Sequence, residues 1–252
     1  MRWIFLRGLT REARHWGCFP ETFRAAMPDA EIITLDLPGN GELRNSASPT
    51  DVRAMVDYCR AELGRRGMDG PFGLLAMSLG AMVATDWASR HPDEIAVGVL
   101  INTSLRPLSP FYHRLKPGNY PRLLRLLLPG VSDEMRETTI LQMTSNSATD
   151  RKATVGAWRR WAQQYPVTNR NALRQIIAAI RYRAPPTTPA VPLLILAGKE
   201  DRLVDCRCSK RLAQTWQADL ALHPTAGHDL PLDDPDWVAA TVRQWLDRKM
   251  GD

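Results

Sequence analysis

A serine set between an apolar run and a stretch of small residues is the first feature of this sequence that could do chemistry. In Leu74-Leu75-Ala76-Met77-Ser78-Leu79-Gly80-Ala81 the apolar run reads as a strand and the residues from Leu79 as a helix, which puts Ser78 on a sharp turn between them. Ala76, Gly80 and Ala81 relieve the crowding of such a turn. The turn lifts the hydroxyl above the sheet edge and sets it at a helix N-terminus, where backbone N–H groups and the helix dipole favour negative charge. An acyl-transfer nucleophile needs that environment, and the N–H of Leu79 is placed to donate to an oxyanion. A plain helix N-cap, a frequent duty of serine, accounts for the same residues. A serine hydroxyl also needs a base to take its proton and a carboxylate to orient that base. Asp201, in Gly198-Lys199-Glu200-Asp201-Arg202-Leu203-Val204, and His228, in Thr225-Ala226-Gly227-His228-Asp229, each follow a strand-like run.

Three residues so far apart in the chain meet only if strand ends share one rim. Short apolar runs at Trp3–Leu6, Glu31–Leu35, Phe72–Met77, Ala96–Ile101, Val191–Ala197 and Ala221–His223 read as strands. Between them the patterns predict helices over His15–Ala26, over Thr50–Leu63 with Thr50 as N-cap, and over Leu79–Arg90. Asp234-Pro235 opens a last helix over Trp237–Lys249. Runs apolar on both faces and alternating with helices imply a parallel sheet covered on both sides, with ligands at the carboxyl ends of its strands. Residues 103–185 break this rhythm. Pro107, Pro110, Pro117 and Pro121 are followed by helical stripes, one of Trp158, Trp161 and Tyr165, the other of Leu173, Ile176, Ile177 and Ile180. The segment reads as an all-helical lid inserted into a core made of 1–102 and 186–252. Its aromatic stripe is core packing by default, and in a lid it would also roof an apolar acyl pocket.

With its order Ser…Asp…His on this alternation of strands and helices, the chain resembles the α/β-hydrolase family. Asp36-Leu37-Pro38-Gly39-Asn40-Gly41 is similar to the family's loop after its second central strand. Arg7-Gly8-Leu9 occupies the place of its His-Gly-x oxyanion turn, with Trp16 further along as in many members. The resemblance implies an α/β-hydrolase fold of about six mostly parallel strands, with helices on both faces and the helical lid between strands. It also implies a serine hydrolase in which Ser78, Asp201 and His228 form the triad. The N–H groups of Leu9 and Leu79 would hold the oxyanion, and Trp16, Trp158 and Trp161 would line the substrate pocket. Asp201 is preferred to Glu200 and Asp205 because Gly-x-x-Asp-x-x-Val matches the family's pattern. Arg7 stands where the family has histidine, a departure that leaves the donor, a backbone N–H, in place. The chain opens on the first central strand, without the antiparallel edge strands of larger members, which predicts a compact sheet. Of the other histidines, His91 reads as a helix cap and His223 as an edge or turn residue. His113 falls in the lid, and His15 in a pocket or in packing. Asp229 reads as structural or solvated.

Length and composition allow this architecture. The chain has 252 residues, 44% apolar and 24% charged, enough for one large α/β domain. It contains no run of about 18 apolar residues that would cross a membrane. The segment Met1–Gly8 reads as a strand and not as a signal peptide. The cysteines Cys18, Cys59, Cys206 and Cys208 lack zinc-ligand or disulfide-framework spacing, which points to a reducing cytoplasm and a metal-free, cofactor-free protein. The net charge of +6 is uneven: residues 103–185 hold 14 Lys/Arg against 4 Asp/Glu, a net of +10, and the remainder is at −4. Such a field steers an acidic partner or an anionic substrate, with Arg159, Arg170 and Arg174 as candidate contacts. Nucleic acid is disfavoured because no recognised binding motif is present. The expected activity is cleavage of carboxylic esters through an acyl-enzyme. A thioesterase or methyl-ester hydrolase acting on acyl groups held by an acidic carrier (acyl carrier protein or coenzyme A) is the second reading, and a non-catalytic ligand-binding protein on the same fold is the third.

Overall fold

Along a strand, successive side chains face opposite ways, and the first apolar run shows how this chain uses both faces. In the computed structural model, which describes residues 1–126, 128, 130–146 and 150–250, that run is β1 (Arg2–Leu6). Trp3 and Phe5 point into one apolar layer, and Ile4 and Leu6 into the other. The chain continues through α1 (Phe19–Ala26), β2 (Glu31–Leu35), α2 (Val52–Arg65), β3 (Phe72–Met77), α3 (Leu79–Arg90) and β4 (Ile95–Ile101). Five helices follow: α4 (Phe111–Arg114), α5 (Tyr120–Leu126), α6 (Asp133–Thr144), α7 (Arg151–Gln164) and α8 (Asn169–Arg181). The end of the chain supplies β5 (Leu193–Gly198), α9 (Arg207–Trp216), β6 (Asp219–His223), α10 (Leu230–Asp233) and α11 (Pro235–Met250).

The six strands form one sheet in the order β2-β1-β3-β4-β5-β6, and every pairing is parallel. The sheet is thus wholly, not mostly, parallel, as strands joined only through helical crossovers must be. Helices α1 and α11 cover one face, packing Phe19, Phe23, Val238, Val242 and Trp245 onto Phe5, Leu75 and Val99. Helices α2, α3 and α9 cover the other, where Met55, Trp87 and Leu212 join Leu6, Leu74 and Ile195. Rings as deeply buried as Trp87 and Trp245 are each worth about 3–5 kcal/mol by truncation.

Three local expectations change. The helix expected over His15–Ala26 is a 3₁₀ turn, Ala13–Trp16, followed by α1, because Gly17 takes φ 57 and breaks the run. The N-cap of α2 is Asp51, one residue beyond Thr50, its carboxylate accepting the N–H of Arg53 at 2.8 Å. The stripe Leu173, Ile176, Ile177 and Ile180 is not the buried side of α8. The inner face instead carries Asn171, Ala172, Gln175 and Ala178, while Leu173 and Ile180 are exposed. Arg106 and Arg183 pair in an isolated parallel bridge that closes the base of the helical segment. No helix among the described residues is long and apolar enough to cross a membrane.

Candidate active site

The sheet order fixes where a ligand can approach. From β1 the chain crosses to β2 on one side and then returns to β3 on the other, so the switch point of the sheet, where open α/β sheets form their ligand crevice, lies at the carboxyl ends of β1 and β3. Arg7-Gly8-Leu9 leaves β1 at that crevice and Ser78 leaves β3. Ser78 takes φ 55, ψ −114, a left-handed conformation that stores strain in a residue with a side chain. Its N–H donates to the Ile101 carbonyl at 3.0 Å, and its carbonyl accepts the Met82 N–H at 3.2 Å, which starts α3. The side chain makes no capping bond to the helix, so the simple N-cap explanation falls. Only glycine fits at position 80, where a Cβ would lie 2.4 Å from the Leu6 carbonyl oxygen and 2.6 Å from that of Arg7. A Cβ on Gly8 would lie 3.2 Å from the Ser78 Cβ, so the turn after β1 passes directly beside the serine.

Asp201 and His228 meet on the same rim. Asp201 Oδ2 lies 2.7 Å from His228 Nδ1, and both side chains are buried. Asp201 Oδ1 accepts the N–H groups of Leu203 at 2.7 Å and Val204 at 2.9 Å, so both carboxylate oxygens are bound and oriented. With the proton of the neutral imidazole on Nδ1, facing Asp201, Nε2 is left as an acceptor. Asn102, directly after β4, ties this corner together. Its Nδ2 donates to the carbonyls of His228 at 2.7 Å and Gly227 at 3.1 Å, and its Oδ1 accepts the Gly198 N–H at 3.0 Å. Asn102 takes φ 46, which asparagine tolerates better than most residues. The helical segment grips the acid loop as well: Lys116 Nζ donates to the Asp201 carbonyl at 2.6 Å and Asn119 Nδ2 to that of Arg202 at 2.8 Å.

The arginine in place of histidine at position 7 has a partner. Arg7 donates through both terminal nitrogens to Asp229, at 3.1 and 2.6 Å, with both side chains buried. This pair joins the turn after β1 to the residue next to His228, and of the two readings of Asp229 the structural one holds. Removing one member of a buried pair leaves an uncompensated charge, so Asp229→Ala is expected to lower stability by about 3–5 kcal/mol in urea unfolding. The double variant Arg7→Met with Asp229→Leu should recover most of that loss. A single-variant loss below about 1 kcal/mol would show the pair to be dispensable.

The residues expected to form a pocket wall are clasped by arginines. Arg7 lies over Trp16, Arg11 over Trp158 and Arg14 over Trp161, with the guanidinium carbon 4.8, 4.3 and 5.6 Å from the ring centroids. Trp16 also packs on Phe5 and Phe19 in the core. His15 sits between Trp158 and Trp161, and burial, then the charges of Arg11 and Arg7, push its pKa well below the usual value. The ring is therefore neutral, and its Nε2 accepts from Arg11 at 3.0 Å. These stacks fasten α7 to the chain after β1. Of the candidate partner contacts, Arg170 is exposed and Arg159 pairs with Glu134 at 3.0 Å. Arg174 turns inward, its Nε donating to the Ser48 carbonyl at 2.5 Å; the polar inner face of α8 draws it there. His223 accepts the N–H groups of Thr225 and Ala226 on Nδ1, a turn role. Asp205 pairs with Arg207 and Glu200 is exposed, so neither takes the place of Asp201. Asn102, Lys116 and Gln175 were not anticipated. The one available signal was an asparagine directly after a fully apolar strand. Among the described residues no group of three or more His, Cys, Asp or Glu side chains is arranged to hold a metal ion.

A doubly wound parallel sheet, a strained serine after β3 and a buried Asp–His pair at the same strand ends are features of a hydrolase fold. The model of the alpha/beta hydrolase family matches residues 3–241, and the chain belongs to that family. It is 27% identical over 276 aligned residues to the biotin biosynthesis bifunctional protein BioHC of Teredinibacter turnerae, covering 96% of this chain and 44% of that protein. Over 84 residues it is 34% identical to the pimeloyl-[acyl-carrier protein] methyl ester esterase of Neisseria meningitidis serogroup A, 32% of this chain and 25% of that one. The chain thus spans less than half the length of these curated relatives. Among solved structures, a thermophilic esterase from Thermogutta terrifontis superposes with a TM-score of 0.76 at 20% identity, over 98% of this chain and 90% of that one. A putative lipase from Acinetobacter baumannii gives 0.78 at 21% identity, over 100% and 85%. At these identities the likeness is one of fold.

Proposed function

We propose that the chain hydrolyses carboxylic esters through an acyl-enzyme on Ser78. The observation that carries this reading is the 2.7 Å contact between Asp201 and His228, with both Asp201 oxygens already oriented. An imidazole held by its Nδ1 in this way is a base at Nε2. Ser78 Oγ attacks the ester carbonyl as its proton passes to His228. The N–H groups of Leu79 and Leu9 hold the oxyanion, and Asp201 stabilises the imidazolium. His228 then protonates the leaving alkoxide. Water enters, gives a proton to the same Nε2, and the acid leaves as Ser78 recovers its hydrogen. Residues 1–102 and 186–252 act as the core and 103–185 as a cap. A fluorophosphonate probe is expected to label the protein, with the adduct on the Ser78 peptide by mass spectrometry. Absence of label at Ser78 would favour the non-catalytic ligand-binding reading.

A second reading, an ester or thioester of an acyl group borne by an acidic carrier, is favoured by the outward side of the cap. Leu173 and Ile180 are exposed on α8, beside Arg170 and Arg181. Arg114 of α4 donates to the Ala179 carbonyl, bringing the exposed Phe111 and Tyr112 toward the same end. No acidic residue occurs between Arg151 and Lys199. Exposed apolar residues on a helix flanked by arginines suit an acidic protein carrying an acyl chain. The similarity to a pimeloyl-[acyl-carrier protein] methyl ester esterase supports such a substrate. Turnover of an acyl-carrier-protein ester should fall roughly tenfold from low to physiological salt, while p-nitrophenyl butyrate turnover stays level. Equal salt response of the two substrates would remove the carrier.

A further inference from the structure

Thr10 adopts φ 57, a left-handed conformation that a β-branched residue strongly disfavours. It is the third residue of the tight turn Gly8-Leu9-Thr10-Arg11, closed by the Arg11 N–H on the Gly8 carbonyl at 3.3 Å. A positive φ at that position is a glycine preference, and threonine holds it at a cost of about 1–3 kcal/mol. The compensating contact comes from outside the sheet. The Thr10 N–H donates to Gln175 Oε1 at 2.8 Å, reaching α8 across 165 residues of chain. Gln175 is completely buried. Its Nε2 donates to Asn40 Oδ1 at 2.8 Å and to Ser48 Oγ at 3.1 Å. Ser48 Oγ uses its own proton on the Pro38 carbonyl at 2.6 Å, so toward Gln175 it can only accept. The amide is therefore held from its nitrogen end, and its oxygen has one orientation, toward Thr10.

We infer that Gln175 is a positioning residue for the oxyanion turn, a role that rests on the assignment of the Leu9 N–H as a donor in ester hydrolysis. The peptide between Leu9 and Thr10 is the one that flips when such a turn relaxes to negative φ. Gln175 holds that peptide. Without the acceptor, Thr10 relieves its strain by flipping it, and the neighbouring Leu9 N–H loses its aim beside Ser78. Other inner-face residues of α8 make the helix a firm support: Asn171 accepts the Ser48 N–H at 3.0 Å and donates to the Ser46 carbonyl at 3.0 Å. The cap thus takes part in the chemistry through one amide oxygen.

The test is p-nitrophenyl butyrate turnover and fluorophosphonate labelling of Gln175→Leu, Thr10→Gly, their double variant and Ser78→Ala. Gln175→Leu is expected to lower kcat roughly ten- to hundredfold with KM little changed, and to slow labelling by the same factor. Glycine at position 10 takes the positive φ without strain, so Gln175→Leu should cost only a small factor in the Thr10→Gly background. An unchanged kcat in Gln175→Leu, with Ser78→Ala inactive, overturns the role of Gln175 alone. The same loss in both backgrounds also overturns it, because a general packing defect would not depend on residue 10. Should Gln175→Leu not fold, the double variant against Thr10→Gly decides: near-equal kcat supports the role and a large loss overturns it. Full activity in Ser78→Ala removes the ester reading itself, and this inference with it.

Discussion

Ser78→Ala is expected to lower turnover of a short aryl ester by several orders of magnitude while leaving KM close to the wild-type value. The substitution removes only Oγ. Alanine carries the same Cβ, so the strained turn at φ 55 keeps its reason to exist in the packing of Gly80 against the Leu6 and Arg7 carbonyls. The Leu79 and Leu9 N–H groups stay in place, and substrate still binds. What remains is the roughly 10³- to 10⁴-fold acceleration over water that oxyanion donors and binding sustain without a nucleophile. Steady-state kinetics with p-nitrophenyl butyrate, with circular dichroism to verify folding, measures the effect. A variant within tenfold of the wild type would take Ser78 out of the reaction.

Asp201→Asn is expected to cost about 10⁴-fold in kcat, for a reason of hydrogen-bond direction. Asp201 Oδ1 accepts two backbone N–H groups, from Leu203 and Val204. An asparagine must keep its oxygen there, which turns its NH₂ toward His228 Nδ1. The imidazole then has to accept at Nδ1 and carry its proton on Nε2. In that tautomer it cannot take the proton of Ser78. The fold should survive because the amide is nearly isosteric with the carboxylate, so thermal unfolding and kcat separate structural from chemical damage. A loss of less than about tenfold would mean that His228 is oriented by something else. Both outcomes differ from the Asp229→Ala case, where the expected damage is to stability.

The site and the fold differ in how much of them is legible in the residue order. Phe72–Met77 keeps the bounds that its apolar pattern implies, because a strand covered on both faces must be apolar throughout. The edge strand Glu31–Leu35 keeps its bounds through the alternation of buried Ile33 and Leu35 with more accessible neighbours. Local competition moved other boundaries: Thr50 and Asp51 can both cap a helix, and the aspartate, the stronger cap, takes the Arg53 N–H. The stripe on α8 misleads for a different reason. Periodicity identifies an amphipathic helix but not which side meets the core, and here Asn171 and Gln175 face inward because Thr10, Asn40 and Ser48 offer them partners.

The residue order alone carries the α/β alternation, the helical interruption and the succession Ser78, Asp201, His228, since apolar periodicity and turn chemistry are local properties. It does not carry the buried pairing of Arg7 with Asp229, the clamp at Asn102, or the reach of Gln175 to the turn at Thr10. Those contacts join positions separated by 222, 126 and 165 residues. A buried polar group must find a partner wherever folding places one, and that partner is chosen by the packed chain in three dimensions.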